Sequence, residues 1–183
     1  SELLNDRQMD VYDEFIRRVD DPSTSGIGLS LALGFGKTLL SLALGLHYLD
    51  RGPILVVAEK TLIQSWEHEI QKWFGDRHKY IVYHGSNIKK IDIYTLPEDV
   101  DIVLTTTTTV RLLYDKYDLK YDLIYREVVN PGVFGQHYVT HYIAPKKPFL
   151  NGDSRILFSQ KWGTLIIDEI QNLPEIVKPL KYL

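Results

Sequence analysis

The stretch Gly34-Phe35-Gly36-Lys37-Thr38 constrains the fold of this 183-residue chain more than any other. It lies between an apolar run, Ile27 to Leu33, and a strongly helical segment, Leu39 to Leu49, which predicts a strand, a glycine loop and a helix in succession. A phosphate-binding loop needs that layout. Its successive backbone N–H groups point inward around phosphate oxygens, and glycine permits both the backbone angles and the close approach. Lys37 then reaches the β- and γ-phosphates, and Thr38, opening the helix, offers its hydroxyl to Mg2+. The generic pattern GxxxxGK[ST] asks for glycine at position 31, where this chain has Leu31. The bland alternative is a glycine-rich turn with an exposed lysine.

The flanking segments extend the same rhythm. Met9, Tyr12, Phe15, Ile16 and Val19 fall at helical spacing within residues 5–19, and the stretch from Asp20 to Gly26 ends that helix. Pro53 to Ala58 reads as a short apolar strand, after which Leu62, Ile63, Trp66, Ile70, Trp73 and Phe74 line one helix face. Two strand–helix units in a row predict an α/β fold with a mostly parallel sheet, and right-handed crossovers place helices on both of its faces. Further strands are expected at Tyr80 to Tyr83, Asp101 to Thr105 and Thr164 to Ile167, the last two as β-branched runs buried on both faces. The segment from Arg111 to Gln160 breaks the pattern. It holds Tyr114, Tyr117, Tyr121, Tyr125, Tyr138 and Tyr142, and it reads as a Tyr-rich insertion.

The second chemical signal is Leu165-Ile166-Ile167-Asp168-Glu169, an apolar strand that ends in two acids. Acids at the carboxyl end of a parallel strand face the crevice where open α/β sheets bind ligands. Asp168 is expected to hold Mg2+, and Glu169 to orient or deprotonate the attacking water. Alone, such a pair often just caps the next helix. Composition narrows the remaining classes: 21 Lys plus Arg against 24 Asp plus Glu leave a net charge of -3, so a nucleic-acid site has to be a local patch. The absence of cysteine excludes disulfides, thiolate zinc sites and Cys nucleophiles. No apolar stretch approaches the roughly 18 residues of a membrane span, and no signal-peptide layout opens the chain, so a soluble intracellular protein is expected. Nucleus, cytoplasm and a viral replication site are not distinguished.

With these residues in view, the chain resembles the first RecA-like lobe of superfamily-two helicases and translocases, and among them the Swi/Snf-type DNA-dependent ATPases, which large DNA viruses also encode. Many helicase-type ATPases lack the first loop glycine and keep GxGK[ST], as here. Leu4-Asn5-Asp6-Arg7-Gln8 is similar to the family's Leu-x-x-x-Gln, which implies that Gln8 reads the adenine of ATP. Gln8, Gly34, Phe35, Gly36, Lys37 and Thr38 thereby form the implied ATP site, with Lys37, Asp168 and Glu169 as its catalytic groups. Thr61-Leu62-Ile63-Gln64-Ser65-Trp66 resembles a Ser-Leu-Leu-x-x-Trp segment, and Asp101-Ile102-Val103-Leu104-Thr105-Thr106 resembles Asp-Val-Val-Ile-Thr-Thr. The resemblance places Lys60, Thr61, Thr105 and Thr106 on a nucleic-acid backbone, duplex DNA being favoured over RNA.

Glu59 stands where the family commonly has proline, and Gln171 replaces the histidine of Asp-Glu-Ala-His. Because the chain opens on Ser1 and ends at Leu183 soon after a mid-domain motif, it is expected to be an N-terminal lobe, residues 1–183, of a longer chain with a second RecA-like lobe. Without that lobe's arginine fingers, which contribute about 10³–10⁵ in rate, slow hydrolysis is expected. His137 and His141 share a helix face at a zinc spacing but have no HExxH context. Tyr114, Tyr117, Tyr121 and Tyr125, with Lys116, Lys120 and Arg126 between them, form either a tyrosine-lined packing helix or a base-stacking surface. Two other classes compete with the motor: a nucleotide-binding scaffold without turnover, which has no need of Glu169, and a P-loop kinase, which carries an arginine-rich lid not apparent here.

Overall fold

The elements run α1 (Asp6–Val19), α2 (Lys37–His47), β1 (Ile54–Ala58), α3 (Ile63–Phe74), β2 (Lys79–Tyr83), β3 (Val100–Thr106), α4 (Thr107–Asp118), β4 (Leu123–Pro131), β5 (His137–Pro145) and β6 (Thr164–Ile167). The computed structural model describes residues 3–23, 27–31, 34–90, 96–118, 123–131, 137–145, 157–158 and 160–169. Its main sheet has the order β2-β3-β1-β6 with every pair parallel. The registers Ala58↔Thr106 and Val57↔Ile167 align the carboxyl ends of β1, β3 and β6. A separate antiparallel pair, β4 with β5, lies within the Tyr-rich segment.

β1 explains why helices cover both faces. All five of its residues are buried, and successive side chains of a strand point to opposite sides. Ile54, Val56 and Ala58 join Leu39 and Leu42 of α2 and Ile63, Trp66, Ile70 and Phe74 of α3 in one core. Leu55 and Val57 pack on the other face with Val103 of β3, Val110 and Leu113 of α4, and Leu157. Such near-continuous apolar runs are what a parallel sheet covered on both sides requires. Among the described residues, no helix is long and apolar enough to cross a membrane.

Two strand expectations change. Residues 27–31 form no ladder with any described strand, so the expected strand from Ile27 to Leu33 is not seen there, although their burial alternates as in an extended chain. β6 is half-buried throughout rather than sealed on both faces, because among the described residues only β1 borders it.

At the amino ends, β1 and β6 are drawn together. Gly163 N–H donates to the Pro53 carbonyl at 2.9 Å, and a Cβ on Gly163 would collide with the Gly52 backbone. Gly52 itself has φ +136°, with the Lys161 carbonyl 2.7 Å from where its Cβ would stand.

Candidate nucleotide and nucleic-acid site

The glycine loop takes the shape its composition permits. Gly34 and Gly36 have φ of 80° and 79°, in the left-handed region where a side chain costs about 1–2 kcal/mol. Gly36 is the residue before α2, no side chain caps the helix there, and its first turn holds no acid. The first amides of α2 therefore face outward with the positive end of the helix dipole, an arrangement suited to phosphate. Lys37 and Thr38 open α2 and are both half-buried.

Gln8 fastens α1 to this loop. Asn5 Oδ1 accepts from Gln8 N–H and Gln8 Oε1 accepts from Asn5 N–H, each at 3.0 Å, a reciprocal capping box that begins α1. Gln8 Nε2 then donates to the Phe35 carbonyl at 2.8 Å. Gln8 is 6% exposed, and a Cβ on Gly36 would lie 2.5 Å from its Nε2. The side chain that the resemblance assigns to adenine thus engages both its oxygen and its nitrogen within the protein, holding the loop.

The acids follow β6 at the carboxyl end of the sheet. Asp168 N–H donates to the Val57 carbonyl at 3.0 Å, continuing the β1–β6 ladder one step further. Its Oδ2 accepts from the indole Nε1–H of Trp66, also at 3.0 Å. Glu169 has φ 52°, the one left-handed residue other than glycine among those described. Strain of that kind, about 1–3 kcal/mol, concentrates at functional turns, and here it falls on the acid expected to orient water. The donor set fits Mg2+: a threonine hydroxyl and a carboxylate are hard oxygen ligands, and Mg2+ typically takes one or two protein oxygens plus phosphates and water.

The nucleic-acid candidates divide. Lys60 and Thr61 are exposed on a single 3₁₀ turn, Lys60–Leu62, between β1 and α3. They border a groove of about 540 Å³ that Gln64, His84 and Asn87 also line. Thr105 and Thr106, at the strand end that the resemblance places on a nucleic-acid backbone, are 0% and 3% exposed, and their hydroxyls bond within the protein. The Thr105 hydroxyl donates to the Tyr83 carbonyl at 2.7 Å. Thr106 Oγ1 accepts from Thr109 N–H at 3.1 Å and pairs with Thr109 Oγ1 at 2.8 Å, capping α4. The exposed threonine at this strand end is Thr108.

The family model for the SNF2-related domain matches residues 8–177. The chain belongs to the SNF2-related domain family. It is 28% identical over 168 residues to an ATP-dependent helicase of Schizosaccharomyces pombe, covering 87% of this chain and 14% of that protein. Over 82 residues it is 35% identical to a helicase-named protein, 172L, of Invertebrate iridescent virus 6, covering 43% of this chain and 14% of that one. The solved SWI2/SNF2 ATPase core of Sulfolobus solfataricus, in complex with double-stranded DNA, superposes with a TM-score of 0.60 at 22% identity, covering 98% of this chain and 29% of that core. The SNF2-related chain therefore has the fold of one part of such a core and spans a small fraction of the length of its relatives.

Several features of this SNF2-related domain differ from their sequence reading. Tyr114 and Tyr117 lie in α4, which ends at Asp118, whereas Tyr125 lies in β4, so no single helix carries the tyrosine series. Lys120, Tyr121 and Gln171 lie outside the described residues. His137 and His141 belong to β5 rather than to a helix. Trp66, read as part of the packed helix face and as the end of the Thr61-to-Trp66 segment, is core and also the partner of Asp168. The signal that could have found it is the buried indole itself, whose N–H requires an acceptor. Gln64 stands at an unspecified position of the Thr61-to-Trp66 segment and His84 and Asn87 carried no motif, so all three become visible only as neighbours of Lys60.

Proposed function

We propose that this chain is the N-terminal, ATP-binding lobe of a nucleic-acid-dependent ATPase, in which ATP hydrolysis drives movement along duplex DNA. The observations that carry the reading are a glycine loop and lysine opening α2 with no side-chain cap, and a strained Asp-Glu turn at the carboxyl end of the parallel sheet, where the exposed Lys60–Thr61 turn also follows β1. The likeness to a Sulfolobus core solved with double-stranded DNA supports duplex DNA over RNA. A second RecA-like lobe in the same longer chain completes the proposal, and residues 111–160 are its insertion.

In this reading the loop amides and the Lys37 ammonium hold the phosphates, and Gln8 keeps the loop in place. Thr38 and Asp168 hold Mg2+, which neutralises phosphate charge when bound. Glu169 orients the attacking water. Lys60 and Thr61 touch phosphates without reading sequence, which makes binding strongly salt-dependent.

The test is ATP turnover by the full-length protein at low salt, with and without duplex DNA, single-stranded DNA or RNA. Stimulation by duplex DNA supports the reading; ATP binding with no stimulation by any polymer replaces the motor with a scaffold. Lys37→Ala is expected to abolish nucleotide binding. Glu169→Gln is expected to retain binding and lose turnover, and normal hydrolysis by that variant would remove Glu169 from the mechanism. Residues 1–183 alone should turn over about 10³–10⁵ more slowly than the two-lobe protein, in line with the loss of an arginine finger.

A further inference from the structure

Trp66 sits on the buried face of α3 beside Ile63, Ile70 and Phe74, with 3% of its surface exposed. An indole has one donor and no acceptor, so burial obliges its N–H to find a partner. For Trp162 that partner is a neutral one, the Leu157 carbonyl at 2.9 Å. For Trp66 it is the Asp168 carboxylate, 102 residues away in sequence and 3.0 Å away in space.

Asp168 is thereby held at two points. Its backbone N–H is locked onto Val57 of β1, and its Oδ2 is locked onto α3. A carboxylate whose backbone alone is fixed still turns about its side-chain bonds and can offer either oxygen or both. With Oδ2 engaged by a donor, the two oxygens are no longer equivalent, and the other one is the better metal ligand.

We propose that Trp66 is a positioning residue for the metal acid: its indole N–H holds Oδ2 of Asp168 and so presents the remaining carboxylate oxygen to nucleotide-bound Mg2+. The inference rests on the reading of Asp168 as the Mg2+ carboxylate. Outer-shell partners of this kind orient metal ligands, and their loss typically lowers metal affinity about 10- to 100-fold. The helix that carries Trp66 starts directly after the Lys60–Leu62 turn, so the exposed Lys60–Thr61 pair leads straight into the helix whose indole orients the acid.

Trp66→Phe keeps most of the buried ring and removes only the donor. In the full-length protein, binding of a non-hydrolysable ATP analogue is measured against Mg2+ concentration and again in EDTA. Trp66→Phe is expected to bind the analogue as wild type does in EDTA, yet to need about 10- to 100-fold more Mg2+ for tight binding. A merely structural tryptophan would shift the denaturation midpoint and leave the Mg2+ requirement within about twofold of wild type, and that result overturns the proposal.

The indole itself supplies a readout independent of turnover. In wild-type protein labelled with ¹⁵N-tryptophan, the Trp66 N–H resonance should move when Mg2+ and the analogue are added together, and stay in place with analogue in EDTA. A resonance unmoved by both overturns the proposal, and this measurement decides the matter even if Trp66→Phe does not fold. If wild type itself shows no Mg2+-dependent binding, the metal reading of Asp168 falls and this inference falls with it; if wild type shows it and Trp66→Phe matches wild type, this inference alone falls.

Discussion

Gln8 illustrates how one side chain can serve two elements. Its oxygen closes the capping box of α1 with Asn5, and its nitrogen holds the Phe35 carbonyl in the glycine loop. Removing the other half of the box, by Asn5→Ala, should cost about 0.5–2 kcal/mol in urea denaturation, the usual loss for an N-cap. Because the same change loosens the residue that holds Phe35, ATP titration of Asn5→Ala should show weaker binding, whereas a cap with no link to the loop would leave affinity unchanged. The glutamine was legible in Leu4-Asn5-Asp6-Arg7-Gln8, but its partner was not. Phe35 lies 27 residues on, and no local pattern connects a helix start to a distant backbone carbonyl.

Elements with strong periodicity were legible nearly to the residue. Thr164–Ile167 is β6 as expected, and the buried runs of β1 and β3 differ from their expected ends by one residue. Where two periods coincide, the reading failed. His137 and His141, four apart, share a face on a helix and equally on a strand, since four is close to one helical turn and is also two strand repeats. The antiparallel register of β4 and β5 resolves that ambiguity as a hairpin. Thr105 and Thr106 end a strand and start a helix, and short hydroxyl side chains at such joints bond to backbone, a partnership that no local pattern announces. Lys60→Ala and Thr106→Ala should accordingly separate. The lysine change should weaken nucleic-acid binding and lower the slope of log K against log salt by about one, without loss of stability. The threonine change should lower stability by about 0.5–2 kcal/mol and leave the salt slope unaltered. Binding isotherms at several salt concentrations, with urea denaturation alongside, distinguish them.

At the scale of the whole molecule, the amino end of the sheet, away from the site, carries a close backbone contact. Gly52 and Gly163 approach backbone to backbone, so Gly163→Ala requires β1 and β6 to separate. Overpacking of this sort typically costs about 1–3 kcal/mol. Urea denaturation should show a lower midpoint at unchanged slope, and a midpoint equal to wild type would mean that the contact is not needed. The glycine loop and the acid pair were legible because phosphate chemistry restricts residue types within a few positions. This contact was not, because any residue could occupy either position until the two strands meet.

The same contact bears on how the chain tolerates change. Gly163 bonds to Pro53 before the first residue of β6, so the alignment of β6 is set at its start: Ile167 arrives opposite Val57, and the Asp168 N–H reaches the Val57 carbonyl, whatever the path of the chain since α4. Lengthening a flexible connection is also cheap, about 0.6 kcal/mol for each doubling. The stretch between α4 and the buried Leu157 can thus grow, shrink or be exchanged over evolutionary time while the acid keeps its place beside Trp66, which makes it the natural port for a fused tag or a swapped module.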